Sequence, residues 1–125
     1  MFNVFQKFFD YLRYREAVNK ADDAHAKTGE RYYVMPSTSG KLLIMDRINF
    51  RAMKKKHYIN HNANVRDLVN ECFYLTPYRN GDGYLDEEGK KIKLALYYSW
   101  CEVFRKQKKE KEGGKNVSKD KRHKQ

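Results

Sequence analysis

RYYVMPSTSGKLLIM, residues 31–45, decides how this chain is built. Two short apolar runs, RYYVM and KLLIM, carry β-branched and aromatic residues, and PSTSG between them is turn chemistry, with Gly40 able to take positive φ. The segment 31–46 therefore reads as a β-hairpin. Its runs are nearly continuous rather than alternating. That pattern belongs to a small sheet covered on both faces, by helices on at least one.

Outward from the hairpin, residues 2–28 read as one helical stretch ended by Gly29. At about 100° per residue the stretch carries two apolar stripes. Phe2, Val4, Phe5, Phe8, Phe9, Tyr11 and Leu12 fill one half of the wheel, with Asn3, Gln6, Lys7 and Asp10 on the other. Tyr14, Ala17, Val18, Ala21 and Ala24 form the second stripe, centred nearly opposite the first. A straight helix cannot bury both in one small core. Either it breaks near Arg13, or one stripe faces something else, and the Phe-rich stripe is the outward one. Phe2, Phe5, Phe8, Phe9 and Leu12 are accordingly the candidate partner-binding residues. They suit a groove on another protein. A membrane interface is a weaker fit, because Lys7 is the only base beside them and Asp10 accompanies it. Packing back on the body after a kink is the third reading.

On the C-terminal side of the hairpin, Asn49 caps a short helix, FRAMKKK, and HYI at 57–59 reads as a third strand or an extended link. Asn64 with Asp67 at N3 forms a capping box that opens a helix VRDLVNECFYL, ended where Thr76 precedes Pro77. RNGDG is a turn, and Asp86 caps the last helix, with Glu87 and Glu88 in its first turn. From Ile92 to Phe104 that helix is apolar around much of its circumference, which marks it as the centre of the core. It is expected to run to about Lys111 and to stop at Gly113 and Gly114. The remainder, KNVSKDKRHKQ, has no apolar period and is disordered by composition.

The fold class is therefore α+β: a long N-terminal helix, a short hairpin or small antiparallel sheet, two shorter helices, a long C-terminal helix and a basic tail. The organisation is a Phe-rich helical segment at 1–13, one body at 14–112 and a basic flexible tail at 113–125. A chain of 125 residues is one domain.

The formal net charge is +11, and the last twenty residues carry nine Lys/Arg against three Asp/Glu. Such an excess favours an anionic partner. Arg51, Lys54, Lys55 and Lys56, followed by Tyr58, form one basic cluster. Lys108, Lys109, Lys119, Lys121 and Arg122 belong to a second. Both suit phosphates of DNA or RNA without base reading; a solvated helix face and a solubilising tail are the plainer readings.

Other chemistries fit less well. Laid on an EF-hand loop, Asn80, Asp82, Gly83 and Asp86 occupy positions 3, 5, 6 and 9, but Tyr78 and Gly89 stand where the first and the closing carboxylates belong. The stretch reads as a Gly-rich turn into a capped helix. His57 and His61 are four apart without a second close ligand pair, so no metal is expected. No phosphate-binding loop, nucleotide fingerprint or nucleophile elbow occurs, so no cofactor and no catalytic residue is assigned. Cys72 and Cys101 read as reduced, buried thiols of a cytoplasm-like compartment. No stretch is long and apolar enough to span a membrane, and no signal peptide is read.

RYYVMPSTSGKLLIMDRINF (31–50), with KKKHYI (54–59) and ECFYLTPYRNG (71–81), resembles a group of small proteins from gut Bacteroidales and their tailed bacteriophages, the crAss-like phages among them. The resemblance spans roughly residues 28–105. It implies a phage-encoded or mobile-element accessory protein of the bacterial cytoplasm or the phage particle, and it assigns no residue roles. The expectation is a non-catalytic interaction or structural protein of a larger assembly. The alternative is a sequence-independent nucleic-acid-binding protein.

Overall fold

A computed structural model describes the backbone of residues 4–57 and 62–124, with side chains to residue 110. Helix α1 spans Val4–Thr28, strand β1 Tyr33–Met35 and strand β2 Leu43–Met45. Helix α2 spans Arg47–Lys55, helix α3 Val65–Glu71, strand β3 Tyr74–Leu75 and helix α4 Glu87–Lys124. The three strands form one antiparallel sheet in the order β2-β1-β3.

The sheet register explains the unbroken apolar runs. Tyr33 stands opposite Met45 on one side and Leu75 on the other, so these three share a face. They pack with Phe50, Leu68 and Cys72 beneath α2 and α3. Val34 stands opposite Ile44 and Tyr74. That face packs against Tyr14, Ala17, Val18 and Ala21 of α1 and Tyr97 and Cys101 of α4. Two helices cover each side of three short strands, so both faces pack on apolar side chains and every strand position is apolar; Leu43, at the end of the edge strand β2, stays exposed. Hydroxyls clip the layers together: Tyr14 Oη donates to the Phe73 carbonyl at 2.8 Å, and Tyr97 Oη donates to the Asp10 carbonyl at 2.6 Å.

Local signals set the element ends. Gly29 takes φ 75 just past α1, and its N–H reaches the His25 carbonyl at 2.7 Å. The Asn64–Asp67 capping box opens α3 as expected. Asp86 Oδ1 accepts from Gly89 N at 2.7 Å at the start of α4.

Four expectations are corrected. Helix α2 begins at Arg47, capped by Asp46, whose Oδ1 accepts from Asn49 N at 2.7 Å; Asn49 is the N3 residue rather than the cap. Helix α3 ends at Glu71 instead of continuing to Leu75. Cys72 is extended, and the Phe73 and Thr76 amides donate to the Val34 and Tyr32 carbonyls at 2.8 and 2.9 Å. Aromatic and branched residues at the open edge of β1 gain more from pairing than from another helical turn. The third strand among the described residues is β3; of the run 57–59, residues 58 and 59 lie outside the described residues, as do 60 and 61. Helix α4 continues past Gly113 and Gly114, since glycine weakens a helix by about 1 kcal/mol without forbidding it. And α4 is not buried all round. Tyr97 and Cys101 face the core, while Ile92, Leu96 and Val103 form an exposed row, because α1 and the sheet cover only one side.

Candidate functional site

Helix α1 runs unbroken through Arg13, so its two stripes point in opposite directions. The buried row is Asp10, Tyr14, Ala17, Val18 and Ala21. The other side exposes Val4, Phe5, Phe8, Phe9 and Leu12 at 81, 72, 56, 56 and 45%. Phe2 lies outside the described residues. With aromatic side chains of about 150–250 Å² each, this face presents roughly 600–700 Å² of apolar surface. That reaches the largest patch usual on a monomer and approaches one partner's share, about 800 Å², of a standard interface.

Opposite the phenylalanines, Asp10 is 2% exposed and ion-paired with Arg105 of α4, whose side chain is 31% exposed. This hydrogen bond is the main cause that raises the Arg105 guanidinium above its ordinary range. Lys7 lies over the Tyr98 ring, 5.1 Å from its centre. The polar half of the first three turns is thus the half that meets α4, and the Phe half faces outward. Spacing carries the signal for Asp10: it precedes Tyr14 by four and Ala17 by seven, in line with the core row. Its partner Arg105, 95 residues away, leaves no trace in sequence.

The pair also joins the two ends of the protein. Arg105 opens the basic stretch of α4, and Lys108 and Lys109 follow within a turn. Lys108, Arg13, Lys41 and Arg105 line a trough of about 570 Å³ between α1, the β1–β2 turn and α4, whose wall includes Trp100 and Phe104. Those two rings are 5.5 Å apart. On the far side of the turn, a second cleft of about 580 Å³ shares Trp100, Phe104 and Lys108. Gly40, at φ 88, lets the turn close over the Phe104 ring, which a Cβ there would meet at 2.7 Å. Lys119, Lys121 and Arg122 lie farther along α4, beyond the described side chains.

The first basic cluster stands elsewhere. Arg51 and Lys55 are exposed and Lys54 is half-buried on α2, with Arg47 one turn before Arg51, while Lys56 is the C-cap. Arg47 lines a different cleft, with Arg31 and Arg79. Arg31 is a buried cation that the sequence did not single out. Its Nε donates to the Thr76 carbonyl at 3.0 Å and its Nη2 to the Gly83 carbonyl at 2.7 Å, and the Tyr78 ring covers it at 4.2 Å. It fastens the 76–83 loop to the start of the sheet. Within that loop, Asn80 Nδ2 donates to Asp82 Oδ2 and the Asp82 amide donates to Asn80 Oδ1, both at 3.0 Å, which fixes the turn.

Among the described residues no three His, Cys, Asp or Glu side chains come together as a metal site, and no helix is long and apolar enough to cross a membrane. His61 lies outside the described residues. Cys72 and Cys101 are both buried and free, and burial raises both thiols, which disfavours the reactive thiolate. Burial likewise pushes the Tyr14 phenol up to about 12 and the Tyr97 phenol higher still. No family model, curated protein or solved structure matches the chain.

Proposed function

We propose that this is a non-catalytic docking protein, an accessory component of a larger assembly such as a phage particle, held to a protein partner by the Phe face of α1. The observation that carries the reading is the exposure of Phe5, Phe8 and Phe9 on a helix whose opposite side is fixed to the body through Asp10 and Arg105. A rigidly mounted aromatic row loses little freedom on binding, which favours affinity. Aromatic side chains dominate the energy of such contacts. The basic stretch that begins at Arg105 adds attraction for a partner whose groove has an acidic rim.

The test is site-specific photo-crosslinking in the cells that express the protein. A photoreactive phenylalanine replaces Phe5 or Phe9, and in a control replaces the buried Tyr14. The expected result is one discrete protein adduct from positions 5 and 9, absent from position 14 and lost from position 9 when Phe5 and Phe8 are changed to Ser. Phe5→Ser with Phe9→Ser should leave the fold cooperative. The two rings keep only 28% and 44% of their area covered, so the loss is at most about 2 kcal/mol at 1.5–3 kcal/mol per fully buried ring. Absence of adducts at both positions, or unfolding of the double variant, would refute the docking role.

A further inference from the structure

A second feature points to a ligand independently of the Phe face. The trough between α1 and α4 is lined by five cations and two carboxylates. The carboxylates are already engaged: Asp10 holds Arg105, and Glu16 holds Lys20 at 3.1 Å. Arg13, Lys41 and Lys108 have no ion pair among the described residues. Three segments far apart in sequence, one turn of α1, the hairpin turn and the last part of α4 with described side chains, therefore direct uncompensated positive charge into one concavity.

The floor of the same concavity is aromatic. Trp100 is half-buried and leans on Phe73 and Phe104, each ring 5.5 Å away, so it presents a fixed, partly open face. Ser39 lines the trough beside Lys41, and Ser37, in the adjoining cleft, donates to the Lys41 carbonyl at 2.6 Å and fixes the turn that carries Lys41. A cavity of about 570 Å³ falls within the 300–1,000 Å³ usual for small-ligand sites. Simple anions need charge but no aromatic wall, and apolar ligands need a wall but no charge. A planar, phosphate-bearing ligand needs both.

We infer that this trough binds a nucleotide unit, with its base against Trp100 and Phe104 and its phosphate held by Arg13, Lys41 and Lys108. The adjoining cleft past the hairpin turn shares Trp100, Phe104 and Lys108, so the surface continues beyond a single unit. A free nucleotide and one link of a single strand offer the same chemistry to these residues. Basic grooves with stacking rings are the general solution for single strands. This assigns nucleic-acid chemistry to residues other than the α2 cluster.

The protein has one tryptophan, so its fluorescence reports the site directly. The full chain is titrated with a ten-nucleotide single strand, with adenosine monophosphate and with inorganic phosphate, at several salt concentrations. The expected result is quenching of Trp100 by the strand or by the mononucleotide. Comparison of the two arms identifies which is the natural source. The strand should show a negative salt slope of about 0.7 per phosphate held. Lys41→Ala with Lys108→Ala should weaken binding at least tenfold and flatten that slope, while Lys91→Ala, which removes a positive charge from α4 outside the trough, should not. Arg13→Gln provides an independent variant on another element. The inference is overturned if neither nucleotide ligand changes Trp100 emission. It is overturned equally if inorganic phosphate competes as well as the nucleotide, or if the trough variants bind like Lys91→Ala.

Discussion

Removing Arg105 should cost far more than removing its partner Asp10, although both changes break the same bond. The reason is the unequal burial of the two side chains, 2% exposed for Asp10 and 31% for Arg105. Arg105→Met keeps the aliphatic stem but leaves a carboxylate shut away from water, for which about 3–5 kcal/mol is expected. Asp10→Asn keeps the shape and leaves a cation that already reaches solvent, so about 1–2 kcal/mol suffices. The double variant holds no buried charge and should be more stable than Arg105→Met alone. With total stabilities of about 5–15 kcal/mol usual for a domain, the arginine change alone would remove about a fifth or more. Urea unfolding followed by Trp100 emission measures all four proteins. At about 1.5 kcal/mol per molar urea, the Arg105→Met midpoint should fall by about 2 M or more. Equal costs for the two single variants, or a coupling below about 0.5 kcal/mol, would show the pair to be a screened surface bridge. The rigid mounting of the Phe face would then lose its support.

Three further outcomes are expected. Gly40→Ala should cost about 1–3 kcal/mol, because φ 88 is strained for alanine and the new Cβ meets the Phe104 ring; Gly81→Ala, at φ 89 with open space around it, should cost only the strain. Urea midpoints of the two variants check this, and equal losses would refute the contact. Tyr33 is fully buried and its hydroxyl has no hydrogen-bond partner among the described residues, so Tyr33→Phe should be neutral or stabilising by about 1 kcal/mol. A loss above 1 kcal/mol in the same assay would mean that the hydroxyl is satisfied. Stability should also fall between pH 10 and about 12. There the unfolded chain releases the Tyr14 proton while the folded protein, in which burial raises that phenol to about 12, retains it. Tyr14→Phe should lose about 1 kcal/mol at pH 7, where the Phe73 carbonyl is left without its donor, and show a shallower alkaline decline. An unchanged pH profile of this variant would refute the assignment.

Much of this protein is set by short-range pattern. The hairpin, Gly29 at the end of α1, the Asn64–Asp67 box and the Asp86 cap follow from residue chemistry within a few positions of each other. So do the opposed stripes of α1, because helical periodicity alone places Phe5 and Phe9 across from Tyr14 and Ala17. Competition between distant partners decided the rest. The run from Cys72 to Leu75 suits a helix or a strand, and only the open edge of β1 chose the strand. Asp10 stands in line with the core row of α1, but no spacing names Arg105 as the partner that lets a carboxylate be buried there. The apolar girdle of α4 does not say which side is covered, since burial depends on what packs there. Likewise no spacing in the chain brings Arg13, Lys41 and Lys108 around Trp100. Local propensity acts over one or two turns, whereas a trough is made by segments that share no sequence neighbourhood, so its chemistry exists only once the layers have closed.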